Sequence, residues 1–126
     1  AAQQGGGAAA DAPQATWREV YKRTLDMIVD TVENKLFHCY DGLGIMLCVK
    51  IVAALRGVMR RRRVTALNGF FDELNMHLWP RFRHVMDAHV LSLRSANVRR
   101  LGNPGTSTHY TTRRYAELAS SLLAMH

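Results

Sequence analysis

The chain has 126 residues and a mass of 14.2 kDa, enough for one domain of ordinary size. Hydrophobic residues at 48% and charged residues at 21% exclude a wholly disordered or collagen-like chain, and two cysteines exclude a disulfide-built mini-protein. Lys plus Arg at 17 against Asp plus Glu at 10 gives a net charge of +7 and a pI near 10.1, which permits anionic partners without selecting one.

Residues 1–15 are Ala, Gly and Gln with Pro13 and read as a flexible low-complexity tether. They have neither the basic start nor the apolar run of a signal peptide. Helix is expected from Thr16-Trp17, with Thr16 as cap and Glu19 at capping-box spacing. Val20, Tyr21, Leu25, Ile28, Val32 and Leu36 then follow at steps that define one helical face.

A second helix is expected from about residue 39 to 60, weakened near its start by Gly42 and Gly44. Its apolar residues, from Ile45 to Met59, surround most of the circumference. Such a helix is central in a bundle or covered by partner chains. Lys50 and Arg56 interrupt the apolar run, which falls short of the roughly 20 residues of a membrane span, so a buried helix is the better reading.

Arg60-Arg61-Arg62-Arg63 closes that helix, where cations complement the helix dipole. Thr65 offers the cap of a third helix, whose stripe includes Leu67, Phe71, Leu74, Leu78, Phe82 and Val85. Pro80 predicts a kink or break near Trp79. Asn97 to Ser107 reads as a loop. A last helix from about Thr108 places Tyr115, Leu118, Leu122 and Met125 on one face. It runs to His126 without a stop signal, so the chain looks cut at both ends. No strand alternation persists. The expected fold is an all-α helical bundle of about four helices over residues 16–126.

Catalytic and metal-binding patterns are weak. Cys39 and Cys48 lie on opposite faces of a continuous helix, and His77 and His84 are two turns apart. Cys39 neighbours His38, but adjacent residues diverge by about 100° on a helix. Ser120 and Ser121 sit on an Ala-rich helix, and Gly5-Gly6-Gly7 has no strand before it. The chain is therefore read as a non-enzyme with no cofactor and no metal.

Charge is the stronger signal. Residues 1–55 hold five basic and six acidic side chains, a net of −1. Residues 56–126 hold twelve arginines against Asp72, Glu73, Asp87 and Glu117, a net of +8. Arginine favours fixed, forked contacts. Arg60, Arg61, Arg62 and Arg63 are candidates for an acidic partner or acidic lipid, or form a solvated helix end. Trp79 and Arg81 flank Pro80, where a kink would shape a partner groove or simply seat core aromatics. Arg113, Arg114 and Tyr115 open the last helix, where two arginines oppose the dipole unless carboxylates meet them. Phe70 and Phe71 fit the core stripe and not a base-stacking role, so nucleic acid is not the expected partner.

A family resemblance rests on five segments in one order. His109-Tyr110-Thr111-Thr112-Arg113-Arg114-Tyr115-Ala116-Glu117 resembles the H-Y-x-T-R-R-Y-A-E segment near the C-terminus of the vacuolar protein sorting-associated protein 52 family. Leu78-Trp79-Pro80-Arg81-Phe82 is similar to its L-W-P-R-F. Cys39-Tyr40-Asp41 with Leu47-Cys48 and Ile51-Val52 is similar to its C-Y-D … L-C … I-V helix. Ser92-x-Arg94-Ser95 and Arg100-Leu101-Gly102 follow in order.

The resemblance implies a subunit of the Golgi-associated retrograde protein complex and of its endosomal sister complex. These are helical multisubunit tethers that capture endosome-derived vesicles at the trans-Golgi network. It implies sister subunits, Rab-family GTPases and SNARE proteins as partners, possible peripheral contact with acidic membrane, and no catalysis or cofactor. The implied location is the cytosolic face of trans-Golgi network and endosome membranes. The alternative is an independent basic helical module that binds anionic membrane or nucleic acid.

Overall fold

Alanine is the strongest helix former, and the Ala-rich start of the chain is helical well before the expected cap at Thr16. In the computed structural model, which describes residues 8–102 and 105–125, helix α1 spans Ala8–Phe37. The expected tether is therefore helical from Ala8, and its first seven residues lie outside the described ones. The inward seam of α1 is Leu25, Val29, Val32 and Leu36, with Val29 buried and the others half-buried. That seam is rotated from the expected face. Ile28, Tyr21 and Val20 are exposed, at 42%, 46% and 69%. Adjacent Ile28 and Val29 offer two overlapping apolar stripes, and α1 packs principally on α3, which selects the narrower.

Helix α2 spans Gly42–Arg61. Asp41 caps it in extended conformation, and its Oδ1 accepts the Gly44 N–H at 3.0 Å. A Cβ on Gly44 would stand 2.6 Å from the Asp41 carboxylate, so any other residue there would oblige the capping side chain to shift. By length and composition alone α2 could cross a membrane. In the fold one side of it, Gly42, Ile45, Val49 and Val52, is buried, while Leu47, Ile51 and Leu55 on other sides are about half-exposed.

The C-terminus of α2 is a Schellman turn. The Val64 N–H reaches the Met59 carbonyl at 3.0 Å, the Arg63 N–H reaches the Arg60 carbonyl at 3.1 Å, and Arg63 has φ 56°. Glycine is usual at that left-handed position.

Helix α3 spans Asn68–Arg94 without a break, which corrects the expected interruption at Pro80. Pro80 and Met76, whose carbonyl the ring displaces, both lie on the solvent face, so no buried backbone group is orphaned. Thr65 is not the cap of α3 either. Its carbonyl accepts the Asn68 N–H at 3.1 Å in the turn, and the N-cap position falls on Leu67, which makes no side-chain cap bond. A short helix α4 (Val98–Leu101) occupies the expected loop, capped by Asn97, and Gly102 with φ 78° ends it. Helix α5 spans Tyr110–Ala124. Among the described residues the bundle thus holds five helices, one of them a single turn.

The core forms where Phe71, Leu74, Leu78 and Val85 of α3 meet Ile45, Val49 and Val52 of α2 and Val29 of α1. Both α1 and α2 pack principally on α3, and α5 packs on α2. Leu78 is 2% exposed at the centre of this core. Leu78→Ala is expected to lower unfolding free energy by about 2–5 kcal/mol in a urea titration. Met76→Ala, on the same helix but 75% exposed, should stay within about 0.5 kcal/mol.

Candidate functional site

The nine residues singled out from sequence fall in three separate places. The first is the turn between α2 and α3. Arg56, Arg60 and Arg63 line a cavity of about 450 Å³ with Ala53, Gly57, Val64, Thr65 and Asn68. Arg56 is neutralised by Asp72, 2.7 Å away. Among the described residues no carboxylate lies within ion-pair distance of Arg60, Arg61, Arg62 or Arg63. Arg61 and Arg62 are exposed and do not line the cavity. Arg18 joins this end of the bundle, donating from Nε to the Ala66 carbonyl at 3.4 Å.

The second place is at the opposite end of α2. Arg81 is half-buried and donates from both Nε and Nη2 to the Cys39 carbonyl, at 3.0 and 2.9 Å. Its guanidinium also lies over the Tyr40 ring, 4.7 Å from the centroid. A residue expected to meet a partner is thus engaged within the chain, where it ties the α1–α2 turn to α3. Trp79 is 48% exposed and meets Phe82 edge to face at 6.0 Å. Phe82 packs against the core. Trp79 remains the half-exposed aromatic of the pair, a residue type favoured as an interface anchor.

The third place is the start of α5. Arg113 and Arg114 are exposed, and Arg114 lies 3.7 Å from Glu117 in a solvent-screened pair. Tyr115, expected on the apolar face, is instead 64% exposed, and the inner side of α5 carries Leu118, Ala119, Leu122 and Met125. His109, which the sequence did not mark as functional, holds this segment. Its Nδ1 accepts the Thr111 N–H at 3.3 Å and its Nε2 lies 2.9 Å from the Leu101 carbonyl. Those two bonds define the tautomer protonated on Nε2 and join α4 to α5.

A further surface had only an indirect sequence signal, the all-round apolarity of α2. Because α1 and α2 both lean on α3, a groove of about 390 Å³ opens between them. Val32, Leu36, Ile45, Cys48, Ile51 and Val52 form its walls and Leu74 and Leu78 its floor. Lys35 and Thr31 are the polar side chains at its rim. Groove-lining Cys39 is half-buried and Cys48 exposed, both as free thiols. The geometry suits apolar docking of a helix in a groove.

The fold and these surfaces define an α-helical bundle with an open apolar groove and an arginine-rich end. The family model described as Vps52, C-terminal, matches residues 8–126, and the chain belongs to that family. It is 39% identical over 107 residues to the rat vacuolar protein sorting-associated protein 52 homolog, covering 85% of this chain and 15% of the relative. The Arabidopsis thaliana vacuolar protein sorting-associated protein 52 A is 34% identical over 113 residues, covering 90% and 16%. The Saccharomyces cerevisiae vacuolar protein sorting-associated protein 52 is 24% identical over 120 residues, covering 85% and 19%. The chain thus spans less than a fifth of the length of these relatives. No solved structure gives a significant match.

The engagement of Arg81 is open to test. Arg81→Lys keeps the charge but removes the two-pronged bond to Cys39, and should lower stability by about 1–2 kcal/mol in chemical denaturation. Arg114→Ala, at an exposed pair, should change it by less than about 0.5 kcal/mol.

Proposed function

We propose that this chain is a non-enzymatic scaffold module of a vesicle-tethering complex, acting in retrograde transport from endosomes to the trans-Golgi network. Its work is to bind. The observation that carries this reading is the apolar groove between α1 and α2, a surface a self-contained domain would close. Its proposed occupant is an amphipathic helix of a sister subunit of the complex. Membership of the Vps52 C-terminal family supports that occupant, because the relatives are several times longer than this chain and carry vacuolar protein sorting in their names.

The exposed Trp79 and the Arg113-Arg114-Tyr115 edge of α5 are proposed as secondary contacts for Rab-family GTPases or SNARE proteins. Trp79 presents a large aromatic and the α5 edge an aromatic beside two exposed arginines, residue types that dominate interface energetics. The module would act peripherally at the cytosolic face of trans-Golgi network and endosome membranes, without a cofactor. A basic membrane-binding role is the second reading, supported by the four arginines at the end of α2 that meet no carboxylate.

The test is capture of purified sister tether subunits by the chain and by Ile51→Glu. Ile51 lines the groove and is 49% exposed, so a charge there leaves the core intact. Capture by the parent chain, lost by at least about tenfold in Ile51→Glu with an unchanged melting temperature, is the expected outcome. Equal capture by both proteins would remove the groove from the mechanism.

A further inference from the structure

The arginine end of the bundle has more structure than a basic patch requires. Four arginines at a helix C-terminus would serve the dipole equally well with no cavity between them. All four are exposed, and Arg60 and Arg63 line a cavity while Arg61 and Arg62 do not. Arg63 takes the left-handed position of the Schellman turn at φ 56°, a conformation that costs a non-glycine residue roughly 1–2 kcal/mol. Asp72 is already taken by Arg56, which leaves Arg60 and Arg63 as the charges in the cavity without a carboxylate. Thr65 and Asn68 line it from the start of α3. The volume of about 450 Å³ lies within the range of small-molecule sites.

We infer that this cup binds a phosphomonoester, presented by the headgroup of a phosphorylated inositol lipid. Two guanidinium groups without carboxylate partners and a polar wall match a compact dianion, which arginine grips with paired N–H donors. An ordinary carboxylate or phosphodiester carries one charge and would use the cup less fully. The source is placed in a membrane because Arg61 and Arg62, exposed at the same end of α2, and Val64, exposed in the cup wall, would meet a negatively charged surface. This choice of source rests on the proposed role at vesicle membranes. The phosphate site itself does not.

The experiment is sedimentation of the full chain with phosphatidylcholine vesicles containing phosphatidylinositol monophosphate. Phosphatidylserine vesicles of equal total charge are the control. Preference for the phosphoinositide vesicles is expected. Arg60→Ala and Arg63→Gly should each weaken it about tenfold, and Arg61→Ala and Arg62→Ala less than about threefold. Arg63→Gly should also raise the melting temperature, because glycine relieves the left-handed strain. A stabler protein that binds more weakly cannot be explained by misfolding. Soluble inositol phosphate should release the chain from vesicles.

Equal binding to phosphatidylserine vesicles, or equal losses in all four arginine variants, would overturn the inference in favour of diffuse charge. Binding of soluble inositol phosphate with none to vesicles would overturn the lipid source and retain the cup. Loss of the phosphoinositide preference while sister subunits are still captured would refute the cup alone. Failed capture with phosphoinositide binding intact would refute the scaffold reading instead.

Discussion

Everything in this bundle leans on one helix. The inward stripe of α3, from Phe71 through Leu74 and Leu78 to Val85, receives both α1 and α2. Two helices side by side on a third bury one seam each and leave a trough between their crests. A fourth helix in that trough would complete a bundle, but α5 packs on α2. Among the described residues the core holds eight buried side chains, all apolar.

The two ends of α2 are built by opposite means. At its start Asp41 caps the helix against Gly44, and Arg81 clamps the Cys39 carbonyl under the Tyr40 ring. These bonds tie the α1–α2 turn to α3 and so help to set the width of the groove. At its end, arginine stands where the Schellman turn favours glycine, and positive charge gathers where few carboxylates answer it. One end stabilises the fold. The other gives up stability to hold charge in a set place, as strained residues do at binding sites.

Much of this architecture was legible in the sequence, because helices announce themselves by period. The apolar circumference of α2 implied a helix central in the bundle or covered by partner chains; in the fold one side of it is buried, while Leu47, Ile51 and Leu55 stay about half-exposed. Family membership was legible from five short segments in order, and the family match over residues 8–126 bears it out. The side of α1 that turns inward was not legible, since Ile28 and Val29 are both apolar and only the placement of α3 chooses between them. Pro80 misled because its effect depends on whether the carbonyl it displaces is buried. Arg81 was picked as a partner contact because sequence shows its charge but not the Cys39 carbonyl beside it. His109 was missed because its work is purely geometric, joining α4 to α5.

The central claim is that the trough between α1 and α2 is a seat for a partner helix. Amide hydrogen exchange, measured on this chain alone and in complex with sister tether subunits, tests it most directly. The account predicts that alone, α1 exchanges faster than α3 from residue 25 to 36, since one seam holds it. In the complex those residues, and 44–55 of α2, should slow by at least about tenfold. Unchanged exchange along both walls of the groove in a complex that demonstrably forms would contradict the account.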